Sequence, residues 1–458
     1  MIENDAFKLL LINLFHLNPD DIANIFCTTF NKMMVLLVTL ADKHQACPYC
    51  GFTAPKIKEY VTKEITHSAL TTQKCIIKYR ARRYKCPCCG KTYYEFNPFV
   101  FKSQKISILT VHNILKDLKD FNETFTSVAR RYHVSPTSVS TIFDNHVDIG
   151  RNPLPEIINF DEVYAFKSEK SKYVCVLLDF KKQIPVDVLP NRKKEYLLNY
   201  FQKIPLEERK KVKYACSDMY EVYRDVVHKV FPCSCMLLDY FHLSQDFHRK
   251  MNEVRIKVMK GYKDDKASDE YYLLKKFNWL LFKNPEDEDK YGRLFDVERE
   301  RKYNSHFKSY MNYYDLKRKL LKINNDLTIC YSLKLELVDF YSKSTIDNAQ
   351  VNLEHLIRSC IDTNIEEMIA FSNNLINWKQ EIINSFTIVG TEYKVEADKG
   401  QVVVCNKKVN NAIIENRNKI IKCIKNNANG YTNWSRFRNR VMYVLDPNTT
   451  FSLEPREK

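Results

Sequence analysis

The chain has 458 residues with 45% hydrophobic content, enough for about two to four domains with sizeable cores. Its 72 Lys and Arg outnumber 56 Asp and Glu, leaving a formal charge of +16, which favours a polyanionic partner, nucleic acid first, over a merely basic surface. With 8 glycines and no G-x-x-x-x-G-K-S/T loop, powering by nucleotide hydrolysis is set aside, and 15 scattered cysteines suit a reducing cytoplasm with metal sites better than a disulfide framework.

Residues 1–45 read as a helical segment, with Phe7, Leu10, Leu14 and Leu17 at helical spacing. Glu3 and Asp5 stand where a secretory signal would be basic, and the apolar run Met33–Ala41 is about half a membrane span. Residues 46–100 hold two matching turns, Cys47-Pro48-Tyr49-Cys50-Gly51 and Cys86-Pro87-Cys88-Cys89-Gly90. Two residues between thiolates let both sulfurs face one ion, and glycine allows the positive φ of the turn. Cys47, Cys50, Cys86 and Cys89 therefore predict a closed, structural Zn²⁺ shell, with Cys88 able to replace a neighbour; the plainer reading is buried or redox-labile thiols. The stretch between the pairs is longer than the commonest spacing. Lys74, Lys78, Arg80, Arg82, Arg83, Lys85 and Lys91, interleaved with tyrosines and free of acids, read either as a phosphate-tracking stripe or as a solvated ribbon face.

Residues 101–150 are expected to form a helix-turn-helix. Phe125–Tyr132 and Pro136–His146 flank a short turn, Ser135 suits an N-cap, and Pro136 suits the first helical position. Ala129, Val134, Val139 and Ile142 would form its core, and Thr137, Ser138 and Thr141 would face a major groove. His133 stands where glycine is usual, and an ordinary helical hairpin has the same pattern. Arg151–Pro155 reads as a linker because of its two prolines.

Residues 151–242 switch to short strands at Ile157–Phe160, Tyr173–Leu178, Pro185–Leu189, Lys213–Cys216 and Cys235–Leu238, with helices at Lys194–Gln202 and Tyr220–Val230. This alternation predicts a mixed α/β sheet. Residues 243–386 read as a helical insertion, where Leu353, Leu356, Ile357, Cys360 and Ile361 mark an apolar face. Residues 387–458 hold a hairpin around Asp398-Lys399-Gly400, a helix at Ala412–Lys425 and a basic tail.

Asp161 follows the first strand of this region, Asp218 follows the fourth, and Glu415 lies on the late helix. If the strands are neighbours, the three carboxylates converge as hard ligands for two Mg²⁺ (or Mn²⁺) ions, equipment for phosphodiester chemistry. Any one of them could equally be an ordinary exposed acid, and Glu162, Asp179, Asp187 and Asp239 compete. Between residues 401 and 445 Glu415 is the single acid among basic residues that include Arg417, Lys422, Arg436, Arg438 and Arg440, a pattern for holding phosphates or simply for a basic amphipathic helix. Trp279 and Trp378 are candidates for a base-stacking wedge, or for core packing.

The blocks Phe160-Asp161-Glu162, Ser217-Asp218-Met219-Tyr220, Asp239-Tyr240-Phe241-His242, Asn411 through Asn418, Ala428-Asn429-Gly430-Tyr431 and Arg436-Phe437-Arg438-Asn439-Arg440 resemble the DDE transposases of bacterial insertion sequences, specifically the ISL-three family. The likeness covers nearly the whole chain. It implies a multidomain α+β protein: an N-terminal zinc ribbon and helix-turn-helix, then a ribonuclease H-like core carrying a large helical insertion. It further implies Asp161, Asp218 and Glu415 as the metal-binding catalytic triad, and an N-terminal region that recognises terminal inverted repeats in double-stranded DNA. Such enzymes act on two ends, which implies a homodimer or higher assembly. Asn418 and Lys422 fall where the family carries Asn and Lys; Asp239 and His242 match a block without a derivable role. Ala412 and Asn416 replace family glycines and add bulk beside Glu415. The rival readings are a non-catalytic, domesticated DNA-binding regulator and a zinc-bearing host nuclease.

Overall fold

A computed structural model describes residues 2–43, 45–101, 104–166, 171–395 and 402–456. Helix α1 (Ile2–Leu14) is followed by strands β1 (Ile22–Phe30) and β2 (Met33–Leu40), so the helical expectation for residues 1–45 holds only for its first third. Asn31 and Lys32 both hold positive φ, 48° and 60°, the backbone of a two-residue hairpin whose twist matches its strands. The helix also turns another face inward than its spacing suggested: Leu11, Ile12 and Phe15 are buried, while Phe7, Leu10 and Leu14 are exposed. Strands β3 (Lys56–Thr66), β4 (Cys75–Lys85) and β5 (Thr92–Tyr94) join β1 and β2 in one sheet, ordered β1-β2-β4-β3 with β5 on β4. The boundary at residue 45 therefore falls inside a sheet, and the run Met33–Ala41 is a sheet strand rather than half a span.

Helices α2 (Ile108–Asp117), α3 (Phe125–Arg131) and α4 (Pro136–His146) follow. Thr124 and Ser127 cap α3 reciprocally, and the Ser135 side chain accepts the Ser138 N–H at the start of α4. His133 takes the turn with φ 54°. Ala129, Val139 and Ile142 are buried as expected, with Val134 partly so. Arg151–Pro155 is not a free linker: Arg151 is paired with Glu208, the Asn152 side chain bonds Pro185 and Asp446, and Leu154 is buried.

The central sheet has β6 (Ile157–Val163), β7 (Val174–Asp179), β8 (Pro185–Leu189), β9 (Tyr214–Ser217) and β10 (Cys235–Leu238), ordered β10-β9-β6-β7-β8. The first three form an antiparallel meander, while β9 and β10 run parallel to β6. Alternation along the strands feeds two cores. Ile158, Phe160, Cys175 and Leu177 pack against α5 (Lys194–Gln202) and α7 (Glu221–Val230), near the short α6 (Leu206–Arg209). On the other face, Val163, Val174, Val176 and Val188 share one core with α2–α4 and with the late helices α15 (Ala412–Asn427) and α16 (Trp434–Leu445).

Between β10 and α15 lie α8 (Tyr240–Lys260), α9 (Asp269–Lys276), two hairpins (β11, Glu288–Asp289, with β12, Gly292–Arg293; β13, Lys302–Asn304, with β14, Ser309–Met311) and α10 (Tyr313–Lys322), α11 (Asn325–Lys343), α12 (Ala349–Asp362), α13 (Glu366–Asn377) and α14 (Lys379–Asn384). The insertion is thus mainly helical, with small hairpins that its charged sequence concealed. Leu353, Leu356, Ile357 and Cys360 are buried, but Ile361 is exposed. Trp378 is buried under the Arg224 guanidinium and Trp279 packs edge-on to Tyr313, so neither is a projecting wedge. Strands β15 (Ile388–Val395) and β16 (Val402–Lys408) pair as a hairpin; its expected turn, Asp398-Lys399-Gly400, lies outside the described residues. Among the described residues no helix is long and apolar enough to cross a membrane.

Candidate active site

The register of the parallel strands assembles the acids. Asn159 of β6 is level with Cys216 of β9, so Asp161, two residues on, is level with Asp218. Ser217 is level with Leu238 of β10, which sets Asp239 beside Asp218 on its other side. Adjacent strands lie about 4.8 Å apart, and all three aspartates stand at one end of the sheet. Asp161 lies within β6 rather than after it, because the strand runs on to Val163 in its pairing with β7.

Glu415 arrives from α15, which three asparagines fasten to β6. Asn159 Nδ2 donates to the Asn410 carbonyl at 2.8 Å and to Asn411 Oδ1 at 2.6 Å, and Asn411 Nδ2 donates to the Phe160 carbonyl at 3.3 Å. Two turns along the same helix face, Asn418 Nδ2 donates to Asp161 Oδ2 at 2.7 Å. The spacing of Asn411, Glu415 and Asn418 therefore places the glutamate over the sheet end that carries the aspartates. His242, in the first turn of α8, completes the cluster: its Nε2 lies 3.8 Å from both Asp239 Oδ2 and Glu415 Oε1.

This convergence is electrostatically unfavourable without a cation. Burial lifts the Asp161 carboxyl to about 7, and the charges of Asp218 and Glu415 add to the shift. Burial, followed by the Glu162 charge, lifts Asp218 to about 6, and burial also raises Asp239. Asp218 Oδ1, Asp239 Oδ2, His242 Nε2, Glu162 Oε2 and Asn418 Oδ1 are buried without a hydrogen-bond partner. Orphaned polar atoms are rare in native proteins, and a cluster of them fits a bound ion. Carboxylate oxygens with one imidazole nitrogen form a donor set for divalent cations.

Of the other candidate acids, Asp179 and Asp187 are engaged elsewhere and Glu162 is paired at the edge of the site. Asp179 accepts the Lys181 and Lys182 N–H groups in a turn, and Asp187 holds Tyr200 and Arg438. Glu162 pairs with Arg192, whose guanidinium lies over Tyr173 and Tyr220 beside the site. Asp239 and His242 were within reach of sequence reasoning, because Asp239 follows its strand as Asp218 does. The buried Asn159–Asn411 pair was not, since asparagine carries no periodic signal, and Asn418 was legible only through the resemblance, with no hint of its bond to Asp161.

The cysteines converge as their turns predict. Cys47 and Cys89 sulfurs are 3.7 Å apart, Cys50 and Cys86 3.5 Å, and all four lie within 4.8 Å of one another. Gly51 and Gly90 hold φ of 76° and 70°. Backbone N–H groups of Cys89 and Cys88 help lower the Cys86 thiol to about 7. Cys88 is exposed and outside the set. Four soft thiolates could hold a zinc ion with no position left open.

The basic residues divide in two. Arg80, Lys85, Thr137, Thr141 and Lys422 are exposed and Ser138 is half-buried; half-buried Arg417 donates from Nε and Nη2 to the Gln183 carbonyl. Arg83 is half-buried and paired with Glu59, and Arg436 is paired with Asp144. Four residues expected at DNA are used internally instead. Arg82 bridges Glu95 and the carbonyls of Leu40 and Ala41; Arg438 joins Asp187 to the Ile149 carbonyl. Arg440 is 1% exposed and donates to the carbonyls of Asp120 and Glu123, while Asn418 holds Asp161. Composition could not separate these groups, because a guanidinium serves a carbonyl as readily as a phosphate.

Residues 158–397 match the profile of a DDE family of the ISL-three group described as Transposase. The match includes Asp161 and Asp218 and stops short of Glu415. The chain is also 20% identical over 409 residues to the transposase for insertion sequence element IS1001 of Bordetella parapertussis, an alignment covering 89% of this chain and 90% of that protein.

Proposed function

The chain belongs to this transposase family and is a DNA transposase; from that premise we propose that Asp161, Asp218 and Glu415 are its catalytic acids. The observation that carries the reading is the convergence of the three on one sheet end, through strand register and the asparagine-fastened α15. The strand order, with a three-stranded meander followed by two parallel strands, supports a ribonuclease H-like core interrupted by the insertion.

In this reading Asp161, Asp218 and Glu415 would hold two divalent ions, Mg²⁺ or Mn²⁺. Bound there, such ions activate an attacking hydroxyl and stabilise the departing oxygen of an in-line displacement. Asn418 keeps Asp161 in its ligating orientation. Water attacks the phosphodiester at the element end and releases a 3′-hydroxyl; that hydroxyl then attacks a target strand, and the displaced 3′-oxygen leaves with a proton. Lys422, exposed two turns beyond Glu415 on the same helix face, supplies positive charge for the phosphates, and Arg417 adds to it only in so far as it leaves the Gln183 carbonyl.

We assign recognition of the terminal inverted repeats to the N-terminal half. Its cysteine turns would hold a zinc ion and stiffen the first sheet, Arg80 and Lys85 meet phosphates, and α3–α4 act as a helix-turn-helix with Thr137 and Thr141 at base edges. Work on paired ends calls for a homodimer or larger assembly. Asp218→Ala tests the catalytic assignment: strand cleavage at the element's own ends should be abolished while binding of those ends is unchanged. Excision by this variant at the wild-type rate would refute the assignment, and a wild type without metal-dependent cleavage on its own ends would favour the regulator.

A further inference from the structure

Asp239 and His242 stand at the active site, but the catalytic-acid reading gives them no task. Asp239 follows β10 as the N-cap residue of α8 and His242 lies in the first turn of that helix, so a strand end and a helix start hold both rigidly. Backbone amides of Phe241 and Asn411 face the Asp239 carboxylate, yet its Oδ2 has no hydrogen-bond partner, and the Asp239 side chain is only 4% exposed. His242 Nε2 is likewise buried and unpartnered. The 3.8 Å from this nitrogen to Asp239 Oδ2 and to Glu415 Oε1 is too long for a hydrogen bond. It is near the separation of two donors that each lie about 2.0–2.2 Å from one ion. The three ligand atoms all fall within 4.8 Å of one another, brought together from the start of α8 and from α15.

We propose that Asp239, His242 and Glu415 form a nitrogen-bearing site for a divalent transition ion, adjoining the all-oxygen site of Asp161 and Asp218. The inference rests on the catalytic-acid reading, because Glu415 serves both sites. An imidazole ligand favours transition ions such as Mn²⁺ over Mg²⁺, which takes oxygen donors. The two positions therefore differ in kind: one exchanges freely with Mg²⁺, the other retains a transition ion. The rival role for His242 is a charged partner for the two carboxylates, with no bond to metal.

Pulsed electron paramagnetic resonance on the full-length, tag-free protein titrated with Mn²⁺ separates these roles. The wild type should show the ¹⁴N modulation of a coordinated imidazole, persisting under about a hundredfold excess of Mg²⁺. His242→Gln should remove that modulation and weaken Mn²⁺ binding at this position by at least about tenfold, while a second, oxygen-coordinated Mn²⁺ stays bound. Wild-type Mn²⁺ bound without nitrogen coupling overturns the inference and leaves the catalytic-acid reading standing. If Asp161→Asn and Glu415→Gln bind Mn²⁺ as the wild type does, or if the wild type binds none, the catalytic-acid reading itself fails and takes this site with it. The wild-type spectrum decides the question even if a variant does not fold.

Discussion

Asp161 shows how burial of one carboxyl couples stability to pH and, if it holds an ion as proposed, to metal. Its carboxyl titrates near 7 in the folded chain, against 3.8 when unperturbed. The folded state therefore binds more protons across this interval, so the associated stability is fully present below about pH 4 and is lost as pH rises through about 7. The melting temperature of metal-free protein should fall between about pH 5 and 7.5. Added Mg²⁺ should restore it, by an increment that grows over the same window. In Asp161→Asn both trends should flatten, and a wild-type melting temperature indifferent to pH and Mg²⁺ would contradict this account. Arginines can be sorted at the same scale. Arg440→Ala removes a fully buried side chain together with its bonds to the Asp120 and Glu123 carbonyls and should cost about 3 kcal/mol in denaturant unfolding, with DNA affinity unchanged per folded molecule. Lys85→Ala, at an exposed position, should leave stability alone and lower the salt slope of DNA binding by about 1.

Among the elements, α15 is the one whose placement decides the site. Asn159 and Asn411 bond one another at 2.6 Å in a buried position between strand and helix. Neither side chain reaches the reacting atoms. Asn411→Ala should lower stability by about 1–2 kcal/mol and slow strand cleavage far more than it weakens end binding; equal losses in both assays would show that the fastening does not position Glu415. The β1–β2 hairpin carries the opposite lesson. Its sequence offered apolar residues that a helix could also use, and only the positive φ of Asn31 and Lys32 resolves the choice.

Over the whole molecule, the expected division into consecutive domains gives way to a clasp. The tail returns to α2–α4: Tyr443 Oη donates to the Leu115 carbonyl, Lys119 Nζ donates to the carbonyls of Asp446 and Thr449, and the Ser452 N–H donates to the His146 carbonyl. Val111, Phe143, Val176, Ile421 and Phe437 lie in one core, whereas Leu36, Ile77 and Tyr79 belong to a separate one under the first sheet. Amides of α2–α4 should therefore exchange with solvent at the same opening free energy as those of β6 and α16, and the first sheet should open independently. Exchange of α2–α4 ahead of the central sheet would show that residues 101–150 form a unit of their own.

Local chemistry is legible without a structure. The cysteine turns, the caps at Ser135 and Pro136 and the strands of residues 157–238 all depend on a few adjacent residues, whose spacing carries the signal. What required the tertiary structure was every question of which distant segments meet: that residues 22–40 enter the first sheet, that Arg82, Arg438 and Arg440 face inward, that α16 closes the core of α2–α4, and that Asp239 and His242 stand beside Glu415. Those outcomes depend on contacts between groups hundreds of residues apart, where burial and hydrogen-bond pairing are settled by the whole packed chain and not by any window of it.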